Sequence, residues 1–170
     1  DTLNPWTRDA EILSQKVRPD LAQAMKEGAF NPFFSNNLIQ EAQYLSTRPQ
    51  LGELLPFFKQ LCKKHGTQAV IVYLPARNQV SEYYLPFERQ FCLQDCPDTL
   101  DLRLPAYQVH QQVLAEECQN LKLPFIDLSP AIATREAKGE HLYWEYDQHM
   151  KGWGYVFVGK ELWRRWSSIQ

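Results

Sequence analysis

The spacing of apolar residues along the chain predicts a series of helices and two short buried strands. The clearest strand covers 68–74, a nearly continuous apolar and β-branched run that is typical of a strand covered by helices on both faces. A second strand is predicted at 123–128, and helical spacing between the two predicts a helix over about 105–121. These elements form a β-α-β unit, whose strands should be parallel and whose crossover should be right-handed.

Helical spacing continues through most of the remaining chain. It predicts further helices over about 10–26, 37–45, 50–65, 129–138 and from Gly152 onward. Pro19 interrupts the first of them, which is either one kinked helix or two short ones. Ser129 is expected to cap the fourth, and Gly66 and Gly139 are expected to end the helices that precede them.

The composition fits one α/β domain of ordinary size. At 170 residues and 20.0 kDa the chain is long enough to bury a core without disulfides or metals, so 1–170 is treated as a single domain with a helical N-terminal extension over 1–49. The net charge of −2 and the pI near 6.1 argue against nucleic acid or anionic lipid as a partner and favour a small neutral or polar molecule. No run of about 18 apolar residues is present, so no membrane span is predicted.

The start of the chain bears on its compartment. It shows no basic and then apolar segment of the kind found in signal peptides, and it begins with Asp1 rather than with Met. We therefore expect a processed product or an excised segment, and we favour an exported or periplasmic location over a cytoplasmic one.

The four cysteines suggest limited redox chemistry and no metal site. Cys62 and Cys118 lie within helical patterns and are interpreted as small buried hydrophobes. Cys92 and Cys96 lie in the loop-like stretch FCLQDCPD and are a candidate disulfide if the chain is exported. A redox pair is the alternative, although thioredoxin-type motifs have two intervening residues and this pair has three. No histidine lies near Cys92 and Cys96 in the sequence, and a zinc site needs four ligands in suitable positions, so no metal is predicted.

The segment 76–80 leaves the carboxyl end of the first strand, where ligands bind in open α/β sheets. We predict a loop there that forms one wall of a site. Arg77 and Asn78 are candidate substrate contacts, and the alternative for Arg77 is an ordinary solvated arginine. His110, in the following helix, is interpreted as a surface or boundary histidine because nothing adjacent in the sequence would orient it as a base.

The stretch 143–155, YWEYDQHMKGWGY, places a carboxylate and an imidazole two residues apart before the last helix. Asp147 and His149 match the orienting and proton-transfer members of a nucleophilic triad. Trp144 and Trp153 flank them and are candidate substrate contacts, because aromatic rings with a polar edge suit sugar rings. In the alternative interpretation Asp147 caps the helix and His149 packs against a tryptophan, without chemistry.

The order of these elements resembles the C-terminal half of the SGNH (GDSL-type) hydrolase superfamily, including relatives that O-acetylate cell-surface polysaccharides. The resemblance covers roughly 50–168, and its most specific residues are the DLSP end of the second strand together with Asp147, His149, Gly154 and Tyr155. It implies a three-layer α/β/α sandwich with a small parallel sheet and, without cofactor or metal, hydrolysis or transfer of O-acyl esters. In that chemistry His149 would be the general base and Asp147 would hold its tautomer.

The sequence departs from that family at the nucleophile. It contains no Gly-Asp-Ser and no Gly-x-Ser-x-Gly, and its first 50 residues look helical where the family has strands, so N-terminal strands are expected to be missing. Ser35, in FFSNN, is the candidate nucleophile because a short apolar run meets a helix start there, and Asn36 or Asn37 would donate to an oxyanion. Helix capping explains the same residues.

Two functional hypotheses therefore stay open. The first is an esterase-like or acyltransferase-like domain whose nucleophile lies outside this chain or is absent. The second is a noncatalytic module of the same fold that binds a glycan or a protein. The oligomeric state is not specified by the sequence, but exposed sheet edges in a domain without its early strands favour self-association.

Overall fold

The computed structural model describes residues 18–27, 29, 38–92, 96–145 and 148–167, which form a mixed α/β structure that is mostly helical. In chain order the α-helices are α1 (Pro19–Lys26), α2 (Leu38–Ser46), α3 (Leu54–Lys64), α4 (Arg77–Val80), α5 (Leu85–Phe91), α6 (Val109–Leu121), α7 (Ser129–Glu136) and α8 (Gly152–Trp166). The strands are β1 (Ile71–Tyr73) and β2 (Phe125–Asp127). Two short 3-10 helices cover Glu82–Tyr84 and Pro105–Tyr107.

The two strands pair in parallel, and α6 lies between them in the chain, which confirms the predicted parallel β-α-β unit. Ile71, Val72 and Tyr73 lie opposite Phe125, Ile126 and Asp127 in register. Both strands are shorter than predicted, with three residues each. Pro124 and Pro75 flank the paired region, and proline cannot donate a hydrogen bond to a neighbouring strand. Strand pairing therefore ends at these prolines, although the apolar runs are longer.

One side of β1 is open among the described residues. The Ile71 amide donates to the Pro124 carbonyl at 2.9 Å, and the Tyr73 carbonyl accepts from the Leu128 amide at 3.1 Å. Peptide groups alternate in direction along a strand, so the Val72 peptide is directed away from β2. Within the described part of the chain no strand pairs with that side, and the Val72 side chain is 40% exposed.

Apolar clusters cover both faces of this small sheet. Ile71 and Phe125 pack into a cluster with residues of α3 and α6, whereas Ile126 belongs to a second cluster with residues of α7 and α8. Successive strand residues point to opposite faces, so the two clusters lie on opposite sides of the strands. A third cluster joins α2 to the 92–107 region through Leu38, which is 1% exposed, and Leu102.

The first predicted helices are found with adjusted limits. Pro19 begins α1, the position at which a helix tolerates proline best, and residues 10–17 lie outside the described ranges. The predicted helix at 50–65 begins at Leu54 instead. Gly66 and Gly139 follow their helices with φ of +63° and +78°, as expected for glycines that end a helix.

Two local predictions are wrong. The segment 76–80 was expected to be a loop, but it forms α4, because the Gln79 side chain accepts the Ala76 amide at 3.0 Å and holds the first turn. Ser129 was expected to cap the next helix, but it is the first residue of α7. Asp127 Oδ1 takes the capping role by accepting the Ser129 amide at 2.9 Å.

None of the described helices combines the length and the apolar composition that a bilayer span requires.

The described residues 142–145 and 148–150, together called the 142–150 turn, pair in antiparallel directly before α8 and lie against that helix. Tyr143 bridges Met150, and the Lys151 amide donates to the Leu142 carbonyl at 2.8 Å. At Gly154 the helix approaches so closely that an added Cβ would lie 2.6 Å from the Leu142 carbonyl oxygen. A glycine is therefore required here, because any larger residue would push α8 away from the 142–150 turn.

We expect Gly154→Ala to lower the free energy of unfolding by about 1–3 kcal/mol, since the added methyl group overlaps a backbone atom. Gly159→Ala is the matched control in the same helix, because nothing lies within 4 Å of a Cβ at that position. It should raise the free energy of unfolding by up to about 1 kcal/mol through helix propensity. Urea denaturation measures both, and equal effects of the two substitutions would contradict the close approach at Gly154.

Candidate functional site

A cavity of about 530 Å³ lies at the carboxyl end of β1. Its walls come from α2, from the 73–79 segment, from α6 and from the 143–155 segment. The side chains with acid–base chemistry in these walls are Glu41, His110 and His149. The cavity therefore lies where the sequence analysis placed the site, but only His149 among these three was predicted as functional.

The 142–150 turn carries His149 to the cavity. The His149 carbonyl accepts the Trp144 amide at 3.1 Å, next to the Tyr143–Met150 bridge, and the residue lines the cavity. Its predicted partner Asp147 lies outside the described residues, so the Asp–His pair stays a prediction. Ser35 lies outside them as well.

A buried ion pair supports one wall of the cavity. Arg77 is 1% exposed and Glu88 is fully buried, and the Arg77 Nε donates to Glu88 Oε1 at 2.6 Å. Nη2 donates to the same oxygen, and Nη1 donates to the Trp144 carbonyl. The interpretation of Arg77 as a solvated arginine is therefore wrong, because its guanidinium joins α4, α5 and the 142–150 turn.

Asn78 extends this pair toward α2. Its Nδ2 donates to Glu88 Oε1 at 3.1 Å and to Glu41 Oε2 at 3.2 Å, and the residue is 1% exposed. Asn78 thus bridges two carboxylates from inside the wall. The role of Arg77 and Asn78 as substrate contacts stays a prediction, since the hydrogen bonds described here go to protein groups.

Glu41 is the residue that sequence reasoning missed. Burial, together with the negative charge of Glu88, raises the pKa of the Glu41 carboxyl to about 7, against the opposing effects of the Asn78 hydrogen bond and the Arg77 charge. The larger of the two causes is burial of the carboxyl, and the charge of Glu88 is the second. No sequence signal pointed to it, because Glu41 occupies an ordinary polar position in a short amphipathic helix.

His110 also lies at the cavity wall. It is 9% exposed, and its ring meets the edge of the Tyr44 ring with centroids 4.4 Å apart. The sequence analysis treated it as a surface or boundary histidine. Its burial brings a second imidazole to the cavity.

Buried tyrosines fix the remaining polar wall. The Tyr73 hydroxyl donates to Gln79 Oε1 at 3.0 Å, and the Tyr143 hydroxyl donates to the Pro75 carbonyl at 2.7 Å. Burial raises the pKa of both phenols, so they stay neutral at physiological pH. Gln79 in turn donates to the Tyr107 carbonyl at 2.8 Å, so this wall is held in place before a ligand enters.

A second buried carboxylate holds the start of the 142–150 turn. Glu136 Oε1 accepts from the Tyr84 hydroxyl and from the Leu142 amide, each at 2.8 Å, and Oε2 lies 3.0 Å from His141 Nδ1. The Tyr84 hydroxyl oxygen also accepts the Tyr143 amide at 3.2 Å. The position of His149 therefore depends on α7 as well as on α4 and α5.

The two predicted aromatic contacts are not brought to this cavity. Trp144 and Trp153 are 50% and 45% exposed, and neither lines it. The Trp144 ring lies 5.6 Å from Lys151 Nζ, which pairs with Glu145 at 2.8 Å. The aromatic rings that reach the cavity instead include those of Tyr44 and Tyr155.

The cysteines do not contribute to the cavity. Cys92 is buried and Cys96 is partly buried, both pack against the Leu38 cluster, and both are free thiols in the structure. Their disulfide stays a prediction. Within the described ranges, no three His, Cys, Asp or Glu side chains come together in a way that could hold a metal ion.

Comparisons with protein-family models, with curated proteins and with solved structures found no match. The function is therefore inferred from the residues of the cavity.

Removing one partner of the buried ion pair should be far more costly than removing both. We expect Arg77→Met to lower the free energy of unfolding by about 3–5 kcal/mol, because it leaves the Glu88 charge uncompensated in the core. The double variant Arg77→Met/Glu88→Leu should recover a large part of that loss. Chemical denaturation of the double-mutant cycle measures the coupling, and strictly additive losses would contradict it.

The carboxyl of Glu41 should make stability depend on pH. Its pKa is raised in the folded chain, so its stabilising contribution is complete below the pKa of the unfolded chain and is lost as pH rises toward and through about 7. We therefore expect the free energy of unfolding of Glu41→Gln to rise relative to that of the native chain between pH 5 and pH 8. The gain should reach up to about 3 kcal/mol, because each tenfold change in proton affinity corresponds to about 1.4 kcal/mol. Denaturation of both chains across this range measures the difference, and a pH-independent difference would contradict the raised pKa.

Proposed function

We propose that the chain is an SGNH-hydrolase-like domain whose cavity forms the acid–base part of a site for O-acyl esters, including esters of carbohydrate. The observation that carries the proposal is the position of His149. The predicted Asp-x-His stretch brings this imidazole into a cavity at the carboxyl end of a parallel strand, where α/β proteins bind their ligands. An imidazole at such a position suits general base catalysis.

The packing of the sheet supports the fold part of the proposal. Apolar clusters with residues of α3 and α6 on one face and of α7 and α8 on the other are what a three-layer α/β/α sandwich requires. The open side of β1 leaves room for the further strands that the resemblance implies. The cavity volume of about 530 Å³ lies within the range of small-molecule sites.

In this chemistry His149 acts on a hydroxyl nucleophile. It removes the proton while the hydroxyl oxygen attacks the acyl carbon, and it then returns that proton to the departing alcohol oxygen of the ester. Water or a carbohydrate hydroxyl next takes the acyl group, which gives hydrolysis or transfer. Asp147 would hold the imidazole tautomer.

The nucleophile is the part that the described cavity does not supply. No serine, threonine or cysteine is among the described lining residues. Ser35 or a serine outside this chain would have to provide the hydroxyl. The same observation favours the second candidate function, a noncatalytic module that binds a glycan in this cavity.

We expect the native chain to hydrolyse p-nitrophenyl acetate and His149→Ala to lose at least about 100-fold in rate, the usual contribution of a general base. His65→Ala is the matched control, because imidazole itself cleaves such esters and His65 is exposed at the end of α3, away from the cavity. Ser35→Ala tests the candidate nucleophile in the same assay.

Equal rates in the native chain and in His149→Ala would remove His149 from the mechanism. No hydrolysis by the native chain, together with a saccharide-dependent change in tyrosine and tryptophan fluorescence, would instead favour the binding module.

A further inference from the structure

We propose that the cavity at the carboxyl end of β1 binds a ligand with an ammonium group, with Glu41 as its counter-ion and Tyr44 and Tyr155 as aromatic walls. The inference concerns the charge of the ligand, and it rests on the proposed function only in treating that ligand as an ester.

The first reason is the balance of charge around Glu41. Arg77 is the sole Lys or Arg side chain among the described lining residues, and its guanidinium bonds to Glu88 and to the Trp144 carbonyl. Glu88 therefore has its cation inside the wall. The Glu41 carboxyl lines the cavity and receives a hydrogen bond from Asn78, and it forms no ion pair with another described residue. Its counter-ion can enter from the cavity.

The second reason is an excess of acceptors beside Glu41. Asn78 Oδ1 and Glu88 Oε2 are buried and have no hydrogen-bond donor among the described residues, although both side chains are at most 1% exposed. The Asn78 amide is the group that bonds Glu41. Neither Asn78 nor Glu88 lines the cavity, so these acceptors do not contact a ligand. They add negative potential behind Glu41, which favours a cation over a neutral ligand.

The third reason is the aromatic lining. Tyr44 is 66% exposed and Tyr155 is 53% exposed, and both rings line the cavity. Exposed tyrosines beside a carboxylate are suited to cations, because the face of an aromatic ring attracts positive charge. A neutral ligand of the same shape would gain neither this attraction nor the charge of Glu41.

Binding of such a ligand should depend on pH. The groups that interact with Glu41 are Glu88 of α5 and Arg77 and Asn78 of α4. The other titratable side chains that line the same cavity are Tyr44, Tyr73, His110, Tyr143, His149 and Tyr155. A cation favours the carboxylate form of Glu41, whose pKa is about 7, so the affinity should be about tenfold higher at pH 8 than at pH 6.

The experiment compares n-butylammonium with n-butanol, which has nearly the same shape and no charge. An alkyl ammonium stays charged over the whole range because such amines titrate near pH 10, at about 10.4 for lysine. Binding is followed by NMR shifts of the Asn78 side-chain amide and of the cavity residues. At pH 8 we expect the dissociation constant of butylammonium to be at least about tenfold lower than that of butanol, since a hydrogen bond to a charged group contributes about one order of magnitude or more in affinity.

Variants assign the effect to Glu41. Glu41→Gln should bind both ligands equally and should lose most of the pH dependence, whereas Glu53→Gln, an exposed glutamate that does not line the cavity, should bind as the native chain does. Equal affinity of the native chain for the two ligands would overturn the proposal. A preference for butylammonium that survives in Glu41→Gln would also overturn it.

Neither probe contains an ester, so the result is independent of hydrolysis. A chain that binds butylammonium but does not cleave p-nitrophenyl acetate would refute ester hydrolysis by this chain and leave the ammonium site intact. A chain that cleaves the ester without preferring the cation would refute the ammonium site and leave the proposed function intact.

Discussion

The buried pair of Arg77 and Glu88 is the interaction on which the cavity depends. Removing two charges from water is costly, and the mutual attraction of such a pair offsets that cost only with good geometry and further hydrogen bonds. Here the further bonds reach the Trp144 carbonyl and the Asn78 amide. The pair therefore joins two helices to the turn that carries His149, which connects the stability of the core to the position of a candidate base.

Burial, together with the charge of Glu88, raises the pKa of the neighbouring Glu41 carboxyl. Asn78 brings a second carboxylate, that of Glu41, close to Glu88, and the guanidinium is already engaged. A carboxyl in that position either stays protonated near neutral pH or ionises when a positive group binds beside it. The ion pair of the core and the carboxylate proposed to bind a ligand thus belong to one small hydrogen-bonded network.

Much of the fold was predictable because it follows from local patterns. The apolar runs at 68–74 and 123–128 predicted two parallel strands, and Gly66 and Gly139 predicted helix ends. The site was less predictable, because burial of a charged residue leaves no mark in the sequence around it. Arg77 follows a proline at a strand end, where a solvated loop is the usual outcome.

For His149, by contrast, the short motif was sufficient to indicate a place in the cavity, because the residues after it form a regular helix that fixes the turn. Glu41 and His110 come from helices far apart in the sequence, and only their packing places them in one cavity. Residues that meet only through tertiary packing cannot be predicted from the periodicity or the spacing of the sequence.

The contact between α8 and the 142–150 turn has a consequence for how this gene can change. Any amino acid that replaces glycine adds a side chain. At Gly154 every such side chain would meet the Leu142 carbonyl. At Gly159 the space is open. In related proteins that keep this turn, glycine should therefore persist at position 154 through long divergence, whereas position 159 should accept other residues.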